Sequence, residues 1–580
     1  MRTIALALVA ALAVAPGPVH TQQAPARTQT VAPSVPGPNG LVVSSSDIAA
    51  DIGASILSKG GNAVDAAVAT AFAMAVTYPF AGNLGGGGFM VVRAADGTAT
   101  TFDYRETAPA KSTPTMYLGK DGNIDRNLTA TGYLAPGVPG TVRGMALAHK
   151  TFGKLAWKDV VSPAAQLAAN GFPMSASLAG GLNGEVARGM KPYPASVAAY
   201  GKPGGGQWAA GDTIKLPDLA KTLDAIAASG PDAFYTGWVA DAIAKDMAAN
   251  GGIMTKADLA GYQAKERAPI KGTFLGYDII SMPPPSSGGV ALVEALNILE
   301  ALHVDKSAYG SADAIHLVTE AKRRAFLDRA RFLGDQDFVQ VPVPMLIGRP
   351  HAADLVKTVD RAKASSSAEL GKDILTVAQA PEPMDTTHFS VLDKNGMAVS
   401  NTFTLEGGYG SHVVIAGTGV LLNNEMGDFN KKPGTTNATG DIGTAANVIA
   451  PGKRMLSSMT PTIVARNGKV VLVTGSPGSR TIINTVMDIV LDVCAWGKTG
   501  REAIDAPRAD HEWEPDRLTI EANGAPQDVV DKLKAMGHDV RVSGRQGSAQ
   551  SIWIDPKTGT AYGIADTRDA TAKASAATVK

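Results

Sequence analysis

The spacing of apolar residues divides the chain into a helix-rich first part and a strand-rich second part. As far as about residue 380, Ala, Ile, Leu and Val recur every three or four residues, which predicts helices with a few strands between them. From Thr386 onward, short apolar runs are separated by Gly and Asn, which predicts strands. This segregation favours an α+β fold in which helices cover stacked sheets.

The same pattern gives the individual elements. Helices are predicted over Asp47–Lys59, Asn62–Thr77, Thr141–Phe152, Trp157–Asn170, Leu216–Ser229, Tyr235–Asn250, Gly289–Ala301, Ala312–Leu333 and Thr481–Cys494. Strands are predicted over Gly88–Arg93, Ala99–Asp103, Tyr277–Met282, Thr387–Asp393, Met397–Leu405, Val470–Thr474, Leu518–Ala522, Val540–Val542 and Ser551–Asp555. The tail from Thr571 to Lys580 is small and polar, which predicts a loose end.

The first residues have the pattern of an export signal. One arginine is followed by the apolar stretch Ile4–Ala15, which is too short to span a bilayer and is typical of a signal peptide. We assign residues 1–26 to it; a buried N-terminal helix is the alternative. The Pro- and Gln-rich stretch as far as Gly40 is predicted to be a flexible leader.

Charge and cysteine content narrow the class of protein. Lys plus Arg and Asp plus Glu number 53 each among 580 residues, so no global charge indicates nucleic acid or an acidic membrane as a partner. The single cysteine, Cys494, excludes an intrachain disulfide. Together with the export signal, this favours a bacterial periplasmic or extracellular protein.

The most informative segment is Thr386-Thr387-His388-Phe389-Ser390, which opens a predicted strand. A threonine in mid-chain is a poor nucleophile, but a threonine at an N-terminus can use its own amine as the general base. Lys394-Asn395-Gly396 then predicts a hairpin turn. A two-residue turn would put Thr386 opposite Leu405, whereas a three-residue loop with Gly396 as the bulge, which we favour, puts it opposite Thr404. The alternative is an ordinary amphipathic hairpin with its threonines in water.

A second candidate is the junction between the strand Val470–Thr474 and the helix Thr481–Cys494. Gly475-Ser476-Pro477-Gly478-Ser479 leaves backbone N–H groups that could hold a phosphate or an oxyanion, and a simple tight turn is the alternative. Three other clusters are Asn423–Asp428, Ser457-Ser458 before a strand and Pro283–Gly289 at the start of a helix. Each of these, like Arg105 after a strand, is more often structural. No zinc motif, phosphate loop or Gly-x-Ser-x-Gly turn is found, so no metal or cofactor is predicted.

Taken together, these segments resemble the γ-glutamyltranspeptidase family of N-terminal-nucleophile hydrolases. The motifs that carry the resemblance cover nearly the whole chain after the signal: Gly60-Gly61-Asn62-Ala63-Val64-Asp65-Ala66-Ala67, Asn83–Phe89, Phe102-Asp103-Tyr104-Arg105-Glu106, Pro283–Gly289, Thr386–Ser390, Leu421-Leu422-Asn423-Asn424 and Leu456-Ser457-Ser458-Met459. The resemblance implies a four-layer αββα sandwich. It also implies autocleavage into a large subunit (residues 27–385) and a small catalytic subunit (residues 386–580), which together form a heterodimer.

The resemblance also implies an activity and a role for each site residue. Thr386 would attack a γ-glutamyl amide such as glutathione and form an ester, which water, an amino acid or a peptide then resolves. Thr404 would position Thr386, and the N–H groups of Gly478 and Ser479 would hold the oxyanion. Arg105 with Ser457 and Ser458 would bind the substrate α-carboxylate, while Glu406, Glu425 and Asp428 would bind its ammonium group.

Three departures from the family pattern are visible. Glu406 replaces a common Asn, and Ser479 replaces a common second glycine, although the N–H that is needed remains. The segment Lys431–Ala450, where many relatives carry a lid with an aromatic tip, has no aromatic residue.

Two alternative functions remain. One is a related acylase that acts on glutaryl β-lactams or on poly-γ-glutamate; the retained Arg105 and acidic residues argue against the glutaryl donors. The other is an inactive exported scaffold.

Overall fold

Two seven-stranded antiparallel sheets lie face to face at the centre of the structure, a computed structural model that describes residues 33–375, 385–438 and 442–579. The first sheet contains, in spatial order, Lys573–Ala576, Gly40–Ser44, Thr387–Asp393, Ala398–Thr404, Gly87–Arg93, Ala99–Asp103 and Lys265–Arg267. The second contains Val35–Pro36, Ala561–Ile564, Ser551–Ile554, Lys469–Thr474, Thr462–Arg466, Tyr277–Ser281 and Ile270–Phe274.

Helices cover the outer face of each sheet. Those on the first sheet include Asp47–Ser58, Ala63–Thr77 and Thr141–Phe152, with Trp157–Asn170 and Pro217–Ser229 packed outside them. Those on the side of the second sheet include Gly288–Ala301, Ala312–Phe332, Thr481–Cys494, Gly500–Asp505 and Gln527–Ala535. The shorter or more peripheral helices are Arg126–Ala130, Ala176–Ala187, Pro194–Tyr200, Asp232–Tyr235, Trp238–Ala249, Lys256–Gly261, Val343–Leu346, Arg349–Val356 and Ser367–Leu370.

Three small sheets and three 3₁₀ turns complete the described elements. The small sheets pair Val414–Ile415 with Val420–Leu421, Phe172–Pro173 with Thr213–Ile214, and Leu518–Glu521 with both Ala509–Asp510 and Val540–Ser543. The 3₁₀ turns are Val304–Lys306, Glu425–Asp428 and Ala445–Asn447. None of these belongs to the central layers.

The helix Ala63–Thr77 shows why the layers form. Its N-terminus is fixed by a capping box in which Asn62 and Asp65 satisfy each other's backbone N–H groups. All of its residues are buried, because one side packs on the first sheet and the other on the helix Trp157–Asn170. A helix that is apolar all round is stable only in such a position. The helix–sheet–sheet–helix order confirms the expected αββα sandwich of the α+β class.

Most predicted elements are confirmed to within one or two residues, but three predictions are wrong. The predicted helix Tyr235–Asn250 is two helices, because the chain turns at Thr236-Gly237 between them. The predicted loose tail contains the strand Lys573–Ala576, in which Ala574 and Ser575 are buried. Gly40, placed at the end of a flexible leader, opens the buried strand Gly40–Ser44.

The buried strand Gly40–Ser44 lies between the tail strand and Thr387–Asp393 and pairs with both. Small side chains allow the tail to pack closely there. The predicted signal peptide lies outside the described residues. Within them, no helix combines the length and the apolar character needed to cross a bilayer.

Candidate active site

The hairpin that begins after Thr386 has the register that the sequence favours. Thr387 pairs with Phe403 and Leu392 with Ala398, and the Asp393 N–H donates to the Met397 carbonyl at 3.0 Å. Gly396 closes the three-residue loop with a φ of 91°, which glycine adopts without strain. Continued by one residue, this register sets Thr386 opposite Thr404.

The carbonyl oxygen of Asp385 lies between two threonine hydroxyls. Thr386 Oγ1 donates to it at 2.6 Å and Thr404 Oγ1 donates to it at 3.1 Å. Thr404 Oγ1 also accepts the Glu406 N–H at 2.9 Å, which directs its own proton toward the carbonyl. The Asp385 carboxylate accepts the Gly408 N–H at 2.9 Å, and burial raises the pKa of this carboxyl to about 6. The Asp385–Thr386 peptide is therefore both fixed and polarised.

The hairpin is not an amphipathic surface element. Both strands are buried along their whole length, and their polar face lies against the second sheet. There Ser390 Oγ donates to the Gln550 carbonyl at 2.7 Å and Ser400 Oγ donates to the Thr474 carbonyl at 2.8 Å. Burial lowers the pKa of His388 to about 3, so this residue is neutral and structural, as the sequence indicates.

The glycine run before Gly87–Arg93 explains how Thr404 is held. A Cβ on Gly86 would lie 2.1 Å from the Thr404 carbonyl oxygen, so only glycine permits this approach. Asn83 reinforces it, because its Nδ2 donates to the same carbonyl at 2.8 Å and its Oδ1 accepts the Gly86 N–H at 3.0 Å. The run therefore positions the hairpin backbone.

The loop between Lys469–Thr474 and Thr481–Cys494 presents two backbone N–H groups. Gly478 and Ser479 have φ values of 131° and 50°, and the Gly478 carbonyl accepts both the N–H and the hydroxyl of Thr481. Within the described parts of the chain, neither the Gly478 nor the Ser479 N–H donates to a protein acceptor. Two such donors on a strand–helix junction can stabilise an oxyanion.

Arg105 is a fully buried cation surrounded by carboxylates. It follows the strand Ala99–Asp103, and its guanidinium pairs with Glu425 and Asp428 and lies 3.8 Å from Glu106. The carbonyls of Met455 and Leu456 accept its remaining N–H groups at 3.3 and 3.2 Å. The resemblance implies that Arg105 binds the substrate carboxylate and that the acidic residues separately bind its ammonium group. In the structure, Arg105 is paired directly with Glu425 and Asp428 in one ion-pair network.

This network places three carboxyl groups around one guanidinium. Burial raises the pKa of Glu106 to about 7, and the nearby Arg105 opposes that rise. Burial also raises the pKa of Glu425 well above its ordinary value, and Glu106, Asp428 and Glu406 add to the effect. Carboxylates that shift in this way favour a cationic group placed among them, because its charge would let them ionise.

The two adjacent serines are held by backbone and by a second arginine. Ser457 Oγ accepts the Met459 N–H at 3.1 Å, and Ser458 Oγ accepts from Arg329 Nη2 at 2.9 Å. Arg329 Nε also donates to Ser287 Oγ at 2.9 Å. Since both hydroxyl oxygens already accept a hydrogen bond, their own protons remain available for an acceptor such as a carboxylate.

A cavity of about 370 Å³ brings these groups together. Its lining includes the predicted site residues Thr386, Thr404, Ser479, Arg105, Glu406, Glu425, Asp428, Ser457 and Ser458, and Gly478 directly precedes one of them. The described part of the segment 431–450 contributes polar and aliphatic side chains to the wall, namely Lys431, Lys432, Thr435, Asn437, Ile442, Thr444 and Asn447.

Sequence reasoning missed Glu106 and Arg329 as members of the site. Glu106 directly follows Arg105 in the motif Phe102–Glu106, so an acid adjacent to the predicted binding cation was a signal that the sequence offered. In the structure both side chains are buried, 3.8 Å apart. Arg329 lies in the last turn of the helix Ala312–Phe332, where a basic residue usually faces solvent, and nothing local indicates its direction.

Comparison with known proteins identifies the family. The γ-glutamyltranspeptidase family model matches residues 49–576. The glutathione hydrolase proenzyme of Escherichia coli K12 is 46% identical over 530 residues, which cover 91% of this chain and 90% of that protein. The cephalosporin acylase of Bacillus halodurans superposes with a TM-score of 0.81 at 26% identity, covering 97% of this chain and 100% of that one.

A chain of the Helicobacter pylori γ-glutamyltranspeptidase superposes with a TM-score of 0.54 at 44% identity. The match covers 56% of this chain and 92% of that one. The family model spans all the residues around the cavity and every strand of the two central sheets except Val35–Pro36 and Gly40–Ser44. The chain belongs to the γ-glutamyltranspeptidase family.

Proposed function

We propose that the chain is an exported proenzyme that cuts its own Asp385–Thr386 bond and then hydrolyses or transfers γ-glutamyl groups from donors such as glutathione. The observation that carries the proposal is the pair of hydroxyls, Thr386 Oγ1 and Thr404 Oγ1, on the Asp385 carbonyl oxygen. The E. coli relative is named a glutathione hydrolase proenzyme, which supports both parts of the proposal.

Self-cleavage requires only groups that are already in place. Thr386 Oγ attacks the Asp385 carbonyl carbon while Thr404 donates to the developing oxyanion. The C–N bond then breaks, the proton released by the Thr386 hydroxyl passes to the Thr386 nitrogen, and an ester joins the two pieces. Water hydrolyses the ester, which leaves a carboxylate on Asp385 and a free amine and hydroxyl on Thr386.

Turnover uses the same threonine, whose free amine now acts as the general base. The free amine of Thr386 accepts the proton of its own hydroxyl as the oxygen attacks the donor γ-carbonyl. The Gly478 and Ser479 N–H groups stabilise the oxyanion, and the amine returns the proton to the leaving amine. Water then releases glutamate, or the amine of an amino acid or peptide takes the γ-glutamyl group.

The ion-pair network suits a zwitterionic donor head. The substrate α-carboxylate would pair with Arg105 and accept from the serine hydroxyls, while its ammonium group would pair with Glu425 and Asp428. The pairs between Arg105 and the two acids would thus be replaced by pairs with the substrate. Every buried charge would keep a partner, so the net electrostatic cost of binding is small. A glutaryl head lacks the ammonium group and would leave the freed carboxylates without a cation.

An acylase is the second candidate, because the B. halodurans cephalosporin acylase superposes over nearly the whole chain. Purified protein should be assayed with γ-glutamyl and glutaryl anilides of the same leaving group, with and without glycylglycine. We expect the γ-glutamyl anilide to react at least about 100-fold faster in kcat/KM, since unpaired buried charges cost several kcal/mol. A preference for the glutaryl anilide would favour the acylase, and no turnover by fully cut protein would contradict both candidates.

The role of Thr404 can be tested separately from that of Thr386. Thr404→Val removes the hydroxyl but keeps the branched shape, and we expect self-cleavage to slow by roughly 100-fold because one oxyanion donor is lost. The rate is measured as the decrease of the uncut band on a denaturing gel. Thr404→Ser retains the donor and serves as the control. Cleavage of the valine variant at the unmodified rate would contradict the assignment.

A further inference from the structure

A second group of polar side chains lies among the helices behind the cavity. Glu294, Asp328 and His351 come from the helices Gly288–Ala301, Ala312–Phe332 and Arg349–Val356, and we refer to them as the Glu294 cluster. One potential ligand atom from each residue lies within 4.8 Å of the other two. His351 Nε2 is 2.7 Å from Asp328 Oδ2 and 3.6 Å from Glu294 Oε1.

Glu294 is the unusual member of the cluster. Its side chain is 1% exposed, and Oε1, which faces His351, has no hydrogen-bond partner in the part of the chain that the structure describes. A buried carboxylate oxygen without a partner is costly, so the group must gain either a proton or a cation. Burial raises the pKa of Glu294 well above its ordinary value, and the neighbouring Asp328 adds to that rise.

Among the described residues, the arginine that pairs with Asp328 is Arg331. Arg331 Nη1 lies 3.3 Å from Asp328 Oδ1, but Arg331 also binds Asp373 through Nε at 3.1 Å and Nη2 at 2.7 Å. Its charge is therefore shared with a second carboxylate, which leaves Glu294 and Asp328 with a net negative charge when both are ionised.

A comparable group elsewhere in the chain shows the opposite arrangement. His316, Glu320 and His538 also bring their ligand atoms together, but Glu320 accepts from Arg324 at 2.6 Å and lies 3.4 Å from Arg323. Two guanidinium groups already supply positive charge there, so a metal cation would be repelled. The Glu294 cluster has no such pair of cations beside its unpartnered oxygen.

We propose that Glu294, Asp328 and His351 bind a divalent transition-metal cation, with Zn²⁺ as the best match. One imidazole nitrogen and two carboxylate oxygens form a ligand set typical of zinc, whereas Mg²⁺ and Ca²⁺ prefer oxygen ligands alone. The His351 side chain is 20% exposed, which gives an ion and a completing water access from solvent. Binding would displace the proton that Glu294 otherwise holds.

The position of the cluster gives the ion a structural role near the active site. Asp328 directly precedes Arg329, whose guanidinium holds the Ser458 and Ser287 hydroxyls. The helix Gly288–Ala301, which carries Glu294, begins next to Ser287. A cation joining these helices would therefore fix the wall behind the two serines of the cavity.

The test uses untagged full-length protein treated with EDTA and dialysed. We expect Co²⁺ to bind with one equivalent per chain and to give a visible ligand-field spectrum that Zn²⁺ abolishes. Saturating Zn²⁺ should raise Tm by roughly 2 to 4 °C. Glu294→Gln and His351→Gln should lose both the spectrum and the shift, whereas His538→Gln, which alters the other group, should retain them.

The glutamine at position 294 keeps the shape of a protonated glutamate, so this variant is expected to fold. Its apo form should have a Tm close to that of the unmodified apo protein. If the unmodified protein gains neither spectrum nor stability from the ions, the cluster holds only a shared proton and the proposal is wrong. Binding that persists in Glu294→Gln would equally overturn it, because the ion would then lie elsewhere.

Discussion

Replacing Thr386 by alanine is expected to give a single uncut chain with no γ-glutamyl transfer activity, because one hydroxyl performs both the cleavage and the turnover. The hydroxyl already lies 2.6 Å from the oxygen of the bond that it would cut. The other hydroxyl on this oxygen, that of Thr404, donates to it at 3.1 Å and is assigned to stabilising the oxyanion. The loss in turnover should reach at least about 10⁴-fold, in line with removal of a nucleophile elsewhere.

Intact mass spectrometry and N-terminal sequencing check this prediction. The unmodified protein should yield a fragment that begins Thr-Thr-His, and Thr386→Ala should yield none after long incubation. Thr386→Ser is the matched control, since a serine retains both the hydroxyl and, once cut, the adjacent amine. Normal two-fragment processing of the alanine variant would show that another group cuts the chain.

Replacing Arg105 by methionine is expected to have the second largest effect, on both folding and donor binding. Glu106 and Glu425 are as buried as Arg105 and would lose their cation, together with the partly exposed Asp428. Removing one partner from a buried ion pair destabilises a fold by about 3–5 kcal/mol. The donor carboxylate would also lose its only charge-assisted contact, so kcat/KM should fall by about 10³-fold or more.

Two further variants separate the two effects of Arg105. Arg105→Met combined with Glu425→Gln removes one unpaired acid, so we expect Tm to recover in part while KM for the γ-glutamyl anilide stays high. Arg105→Lys keeps the charge but loses the planar fork, and kcat/KM should fall by roughly 10- to 100-fold. Fragment formation should persist in both, because Arg105 does not contact Asp385 or Thr386 among its described bonds. An unchanged KM in both variants would contradict the role of Arg105.

Local patterns were sufficient to predict the hairpin that carries the nucleophile. Asn395-Gly396 indicates the turn but allows two registers, and the favoured three-residue loop, which the structure has, brings Thr404 opposite Thr386. The helix Thr481–Cys494 was equally clear. The glycine loop before it indicates where it begins, and its apolar stripe indicates how far it extends. Each of these elements is specified by neighbours in sequence.

The missed features depend on partners far away in the chain. The strand Gly40–Ser44 directly follows the Pro- and Gln-rich stretch, and its place in the sheet comes from Thr387–Asp393 and Lys573–Ala576, which pair with its two edges. In the same way, the direction of Arg329 depends on Ser458, and the pairing of Arg105 depends on the 3₁₀ turn Glu425–Asp428. No local propensity records such contacts, which form only when the layers assemble.

The spatial order of the strands determines what a cut before Thr386 could release. In the first sheet the strand Gly40–Ser44, from the earlier piece, is hydrogen-bonded on both edges to strands of the later piece. In the second sheet Tyr277–Ser281 of the earlier piece pairs with Thr462–Arg466 of the later one. Neither piece retains a complete sheet by itself, so the scission would remove a covalent link without creating two independently stable bodies, and the products would unfold together as one cooperative unit.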